Sequence, residues 1–147
     1  MVYGSSALIT ITEKSRSAVL ALSELAERGS NGPVPILEVA EARGIPLHFL
    51  EQLFAGLRRA GILQSQRGVK GGYSFRRAPA EVTILEVVET VDGRITPTAG
   101  GGGDPSDALD GVWAEARAAL ADLLGGITIA EVREREARLR SAPMFHI

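Results

Sequence analysis

The sequence predicts a mainly α-helical protein that carries one small β-hairpin and a long amphipathic helix. Apolar residues recur at helical spacing in several stretches of residues 9–92. Two short alternating segments, 62–67 and 73–77, flank a glycine-rich joint, which is typical of a hairpin. A broad apolar stripe follows over residues 105–124. A chain of 147 residues suits one domain with a short oligomerising extension.

The composition excludes several classes of site. The chain contains no cysteine, which rules out disulfides, thiol nucleophiles, thiolate zinc sites and cysteine-held iron–sulfur clusters. Only two histidines are present, so a multi-histidine metal centre is not expected, and we predict neither a metal nor a cofactor. No apolar run approaches the ~20 residues that cross a bilayer, and no signal-peptide pattern opens the chain. We therefore expect a cytoplasmic protein.

The charge is divided unevenly along the chain. Residues 1–79 hold ten Lys and Arg against six Glu, a net charge of +4, whereas residues 80–147 carry a net charge of −6. A basic first half suggests a nucleic-acid partner for that half.

The first three helices follow one another closely. Thr12 is suited to cap the first helix, which ends at Gly29. A short helix over 36–43 ends at Gly44, and a third helix over about 46–60 begins within three residues of it. This spacing is that of a helix-turn-helix, and the hairpin that follows completes the order of a winged helix-turn-helix. In that geometry the third helix lies in the DNA major groove, while the hairpin reaches the backbone or the minor groove.

The rest of the chain is predicted to serve assembly. Thr83 caps a fourth helix over 84–91, and a capping box opens a last charged helix at Thr128. The predicted division is a winged helix-turn-helix domain over 9–92, a flexible loop over 93–107, and a dimerisation helix, C-terminal helix and tail over 108–147. The apolar stripe of the long helix would pair with the same helix of a second subunit, the alternative being that it folds back on its own domain. Its members are Leu109, Val112, Trp113, Ala116, Leu120 and Leu123.

Several spaced motifs resemble one family. The run Phe49-Leu50-Glu51-Gln52-Leu53 and the hairpin run from Arg67-Gly68-Val69-Lys70 to Gly71-Gly72-Tyr73 are similar to the signature of the Rrf-type regulators, the family that includes IscR, NsrR and CymR. The similarity extends over roughly residues 9–132. It implies a winged helix-turn-helix transcriptional regulator that binds DNA.

The resemblance also implies which residues contact DNA. Glu51 matches the glutamate with which IscR-like members read bases, and Arg67 matches the arginine of their wing. For Lys14 and Arg16 the alternative is ordinary surface charge, and for Arg58 and Arg59 the alternative is a salt bridge. The predicted DNA-binding residues are Lys14, Arg16, Pro46, His48, Phe49, Glu51, Gln52, Arg58, Arg67, Gly68, Lys70 and Gly71.

Within the family the chain resembles the cysteine-metabolism repressors, the CymR subgroup, most. Cluster-binding members place three cysteines in the loop that here reads Thr96-Pro97-Thr98-Ala99 and then four glycines. The cysteine-metabolism repressors act as homodimers on palindromic DNA, with cysteine synthase (O-acetylserine thiol-lyase) as co-repressor. We expect cysteine synthase to capture the tail here, unless the tail is disordered or packed in the dimer. The tail residues are Met144, Phe145, His146 and Ile147.

Two other functions compete with this hypothesis. A regulator could sense a small molecule or a non-cysteine-ligated cluster through the 93–107 loop, with Asp104, Asp107 and His146 as ligands. An enzyme is the second alternative, but no nucleophile–base pair is recognisable. The glycine-rich hairpin lacks the strand–GxxxxGK[ST]–helix context of a phosphate loop, and the acidic groups of the second half are expected at solvated helix positions. We therefore predict that the protein is not an enzyme.

Overall fold

The computed structural model describes residues 11–95 and 108–142. Most of the predicted 93–107 loop and all four tail residues lie outside the described residues. The helices are α1 Glu13–Arg28, α2 Ile36–Arg43, α3 Leu47–Arg59, α4 Ile84–Val91, α5 Ala108–Gly125 and α6 Ile129–Ser141. Strands β1 Leu63–Gln66 and β2 Gly72–Phe75 form the hairpin between α3 and α4. This mainly helical architecture with one antiparallel hairpin confirms the predicted fold class.

Local capping sets the helix boundaries. Thr12 accepts a hydrogen bond from the Lys14 N–H, and Thr83 accepts one from the Glu86 N–H. Thr128 accepts from the Glu131 N–H, which confirms half of the capping box expected there. The start of α1 is also tied to the end of α4, because the Asp92 carboxylate accepts from the Thr12 N–H at 2.9 Å and from the Thr12 hydroxyl at 2.6 Å.

The hairpin is fastened to the segment before α2. Residues Leu63 and Phe75 are paired in the antiparallel register. Val34 forms a bridge with Tyr73, in which each backbone N–H donates to the other's carbonyl at 2.8 Å. Gly72 makes this approach feasible, since a Cβ at this position would lie 2.3 Å from the Val34 carbonyl carbon, and its φ of +152° is rarely adopted by other residues. The hairpin is thereby held at a set position beside α2 and α3.

The core lies between α1, α3 and α4. Phe54 is fully buried, and its ring packs edge-on against Tyr73 with 5.0 Å between the centroids. The apolar face predicted for α3 is confirmed, and Tyr73 is half-buried against the core. The buried side chains of α1 and α3 include Ala18, Leu22, Leu25, Leu50, Leu53, Phe54 and Leu57.

The C-terminal helix returns to the first helix. Ile129 is fully buried, and its N–H donates to the Val82 carbonyl at 2.9 Å, so α6 begins beside α4 and then packs along α1. Helix α6 therefore shares the core of the predicted winged helix-turn-helix domain. Ile95, at the start of the segment predicted as a flexible loop, is also buried and donates its N–H to Glu89.

One expectation about the acidic second half was wrong. Glu136 of α6 is only partly exposed, and its carboxylate accepts from Arg43 at 2.7 and 3.0 Å and from Ser23 at 2.5 Å. The Arg43 guanidinium, which also donates to Glu24, lowers the pKa of Glu136 to about 2. Asp92 is likewise engaged, and hydrogen bonds from Ser15 and Thr12 outweigh partial burial to lower its pKa. These contacts join residues distant in sequence, so helical periodicity could not reveal them.

Candidate nucleic-acid interface

The exposed face of α3 is set by the burial of the opposite face. With Leu50, Leu53, Phe54 and Leu57 in the core, the side chains of His48, Glu51 and Gln52 are exposed. The Gln52 amide lies 3.5 Å from the His48 ring, so these two polar groups are neighbours one helical turn apart. Pro46 is also exposed at the start of the helix. The structure therefore places four of the predicted contact residues together at the N-terminal end of α3.

Phe49 occupies a different position from the other predicted contacts. Its side chain is half-buried and packs against the core rather than lying on the exposed face. It forms part of the floor of a cleft between α1, α3 and α4, with a volume of about 180 Å³. The rim of this cleft includes Lys14, Gln52 and Arg59. A DNA contact by Phe49 stays a prediction, and its observed environment is that of a packing residue.

The hairpin presents a short, tight tip. The Gly71 N–H donates to the Gly68 carbonyl at 2.9 Å, which closes the turn between the two strands. A Cβ on Gly71 would lie 2.3 Å from the Gln66 carbonyl oxygen, so only glycine fits there without distortion. Arg67 and Lys70 are exposed on either side of the tip. The two cations are therefore free to approach a phosphate backbone.

Most of the cations that no described carboxylate neutralises lie around α3 and the hairpin, and the others are Arg94, Arg117 and Arg138. Seven of the 16 Lys and Arg form ion pairs within the described residues, among them Arg28, Arg43, Arg77 and Arg133. Arg16, a predicted contact, pairs with Glu13 at 3.3 Å and stays largely exposed. Around α3 and the hairpin, no described carboxylate lies within ion-pair distance of the following six: Lys14, Arg58, Arg59, Arg67, Lys70 and Arg76.

Unpaired cations beside a helix that fits the DNA major groove are suited to bind the phosphates that flank the groove. Such cations can neutralise DNA phosphates without first breaking a protein ion pair, and they release the counterions condensed on the duplex. Arg76 was missed from the sequence because nothing in its local pattern separates it from a solvated strand end. The structure shows Arg76 exposed directly after β2.

Comparison with known proteins identifies the family. The Rrf2 profile, described as an iron-dependent transcriptional regulator, matches residues 11–135. The chain belongs to the Rrf2 family. The Rrf2 match confirms the resemblance of the sequence motifs, and it confirms a DNA-binding transcriptional regulator rather than an enzyme.

Curated relatives and solved structures agree with this assignment. The chain is 34% identical over 127 residues to the transcriptional regulator IscR of Aliivibrio salmonicida, covering 83% of this chain and 76% of that one. It is 35% identical over 128 residues to IscR of Klebsiella pneumoniae, covering 83% and 78%.

Among the solved structures, the global cysteine regulator CymR of B. subtilis superposes with a TM-score of 0.76 at 27% identity, covering 86% of this chain and 98% of that one. IscR of T. potens superposes with a TM-score of 0.76 at 26% identity, covering 93% of this chain and 94% of that one. The comparisons thus include IscR as well as CymR, and they do not place this chain nearer to CymR.

The donor set does not fit the iron dependence named for the Rrf2 family. The whole chain lacks cysteine and has only two histidines. Over residues 11–95 and 108–142, no three side chains among His, Asp and Glu lie close enough together to hold a metal ion. Asp104, Asp107 and His146, the ligands considered from the sequence, lie outside the described residues.

None of the helices described here has the length and apolar character of a membrane span.

The predicted dimerisation stripe of this Rrf2 chain lies along α5. Leu109, Val112, Trp113 and Leu123 are 55%, 52%, 37% and 61% exposed. The C-terminal half of α5 contacts its own domain through a neighbouring face, where Ala121 is buried and Leu124 packs against the core. Among the other members of the stripe, Ala116 is half-buried, and Leu120 is half-buried and also packs against the core of its own chain.

Proposed function

We propose that this Rrf2 regulator is a homodimeric repressor that binds an imperfect palindrome in double-stranded DNA. The observation that carries the proposal is the set of unpaired cations surrounding α3 and the hairpin. In a winged helix-turn-helix, α3 enters the major groove, which is wide enough to admit a helix, and the hairpin approaches the adjacent backbone or minor groove.

Base reading is assigned to the exposed N-terminal end of α3. The Glu51 carboxylate can accept from the N4 amino group of cytosine and is repelled by phosphate, so it discriminates between bases more than it adds affinity. His48 and Gln52 lie on the same face and supply further polar groups. Backbone contact is assigned to the predicted set of Lys14, Arg16, Arg58, Arg67, Gly68, Lys70 and Gly71.

Dimerisation is assigned to the exposed stripe of α5. Burial of apolar side chains such as Val112, Trp113 and Leu123 is worth about 25 cal/mol per Å² removed from water, which favours pairing of two α5 helices. A twofold pair repeats the same face on both subunits, and it carries two copies of α3 to two half-sites. A palindromic operator follows from that symmetry.

We further propose that the repressor controls cysteine or sulfur metabolism with cysteine synthase as co-repressor. Support comes from the absence of cluster cysteines in the chain and from the similarity to the structure of the global cysteine regulator CymR. The apolar tail, Met144, Phe145, His146 and Ile147, would enter the enzyme as an extended peptide whose carboxylate is held by backbone amides. O-acetylserine, competing for that enzyme site, would release the enzyme and weaken repression.

Selection of DNA from a random pool tests the first proposal. We expect a twofold-symmetric site whose affinity falls steeply with salt. Enrichment of an asymmetric site, or of none, would contradict it.

A pull-down from lysate with the full chain and with the chain lacking residues 144–147 tests the second proposal. Cysteine synthase should be retained only by the full chain. Retention by both would contradict the tail mechanism. Iron or colour in the purified protein would favour sensing through the 93–107 loop instead.

A further inference from the structure

The hairpin tip carries an apolar side chain that none of the described residues covers. Val69 is 105% exposed, more than any other large hydrophobic side chain over the residues that the structure describes. The next most exposed is Leu139 on α6, at 78%.

Val69 has no role in forming the turn. It is at the corner of the turn that the Gly71 N–H to Gly68 carbonyl hydrogen bond closes, where Pro, Asn, Asp and Ser are the favoured residues and β-branched side chains are suited to strands instead. Its two methyl groups therefore add nothing to the stability of the isolated hairpin. A role for them must come from a surface that the tip contacts.

The flanking charges indicate which surface that is. Arg67 and Lys70, on either side of Val69, are exposed and have no ion-pair partner among the described residues. Two cations on either side of an apolar side chain match the minor groove, whose two phosphate walls are negative while its sugar edges offer apolar contact. A narrow minor groove concentrates negative potential, which favours such cations.

We infer that Val69 makes the hairpin discriminate A·T from G·C pairs in the minor groove. This inference rests on the proposed DNA-bound arrangement and adds to it a specificity-determining residue outside α3. In the minor groove, A·T and T·A pairs present only acceptors, whereas G·C pairs add the N2 amino group of guanine. A valine pressed against that amino group excludes its water and offers it no acceptor, which is costly for a polar group. The wing of this protein accordingly prefers A·T pairs.

Modified bases test the effect of the minor-groove amino group separately from the other groups of the base pair. In a duplex obtained by selection with the full-length protein, the minor-groove positions under the hairpin are located by protection from hydroxyl radicals. Replacing adenine there by 2,6-diaminopurine adds the minor-groove amino group and leaves N7 and N6 in the major groove unchanged. Replacing guanine by inosine removes it.

We expect diaminopurine at the hairpin positions to weaken binding by the unaltered protein at least about fivefold, the scale of one uncompensated polar group. In a duplex that carries a G·C pair at a hairpin position, replacing the guanine by inosine removes the amino group and should restore the affinity measured for an A·T pair there. Val69→Ser supplies a hydroxyl that can accept from the amino group, so its dissociation constants for the adenine and diaminopurine duplexes should be equal. Leu139→Ser, an exposed apolar position on α6, is the matched control and should retain the discrimination.

The outcomes separate this inference from the proposed function. Equal binding of adenine and diaminopurine duplexes by the unaltered protein, or undiminished discrimination by Val69→Ser, overturns the role of Val69 while operator binding stands. Failure to bind any duplex overturns both. Because Val69 is fully exposed, Val69→Ser should keep the melting temperature of the unaltered protein, and melting curves check that each variant is folded.

Discussion

Glu136 is expected to stabilise the fold by joining α6 to α1 and α2. The perturbation is Glu136→Gln, which keeps the shape of the side chain but removes the charge that faces Arg43. A fall in pKa from 4.5 to about 2 corresponds to at most ~3.4 kcal/mol at neutral pH. Since the Glu136 side chain is 23% exposed, solvent screening lowers our expected loss in the free energy of unfolding to ~1–2 kcal/mol.

The pH dependence has a definite sign. Folding lowers the pKa of Glu136, so its contribution is fully present above pH 4.5 and is lost as the pH falls towards about 2. The pKa values of Glu24 and Asp92 are lowered too, so the unaltered protein should lose stability steeply with acid. Glu136→Gln should show a shallower loss over the same range, because one of the three carboxylates no longer titrates.

Urea unfolding followed by circular dichroism measures both quantities. Glu134→Gln on the exposed side of α6 is the matched control, and its effect should stay within about 0.5 kcal/mol of zero. If Glu136→Gln behaved like this control at neutral pH and kept the original acid dependence, the ion pair would contribute nothing to the fold and our reasoning would be refuted.

Four further predictions follow from the site and the fold. Arg67→Ala should weaken binding to every DNA sequence and reduce the slope of log affinity against log salt by about one. Glu51→Ala should mainly relax base preference, and equal losses of affinity by Glu51→Ala on all sequences in fluorescence anisotropy would contradict the role of Glu51. Trp113→Lys should convert the proposed dimer to a monomer in sedimentation experiments, and a variant that stays dimeric would exclude the α5 stripe as the interface. Deletion of Ile147 should abolish calorimetric binding to cysteine synthase in the absence of O-acetylserine, and retained heat of binding would exclude the tail mechanism. Gly72→Ala should destabilise the fold by more than about 1 kcal/mol because its Cβ would collide with the Val34 backbone, a result that unchanged urea midpoints would overturn.

The helices of this protein were predictable from sequence because their determinants are local. A helix needs an apolar period of 3.6 residues and capping groups within a few positions, and both are visible in the order of the residues. The predicted span of α4, 84–91, and its cap Thr83 agree with the structure residue for residue. The α3 face could be assigned for the same reason, since burial of Leu50 and Leu57 determines which side chains of that helix face outward.

Other features depended on contacts between residues far apart in the chain. Arg43 and Glu136 are 93 positions apart, and only the packing of α6 on α1 brings them within hydrogen-bond distance. This packing neutralises Arg43, whereas no described carboxylate forms an ion pair with Arg59 or Arg76. Phe49 provides the converse case, because its family match suggested a DNA contact and the approach of α1 and α4 half-buries it.

The sequence by itself thus determined the helices, the hairpin, the cysteine-free composition and the membership of the Rrf2 family. Tertiary structure decided which charged side chains stay unpaired, the β-bridge between the hairpin and Val34, and the exposure of the α5 stripe. The physical reason is the separation along the chain over which each kind of interaction acts. Backbone capping and helical periodicity act over about four residues, whereas ion pairing and burial depend on which distant surfaces meet once the chain has folded.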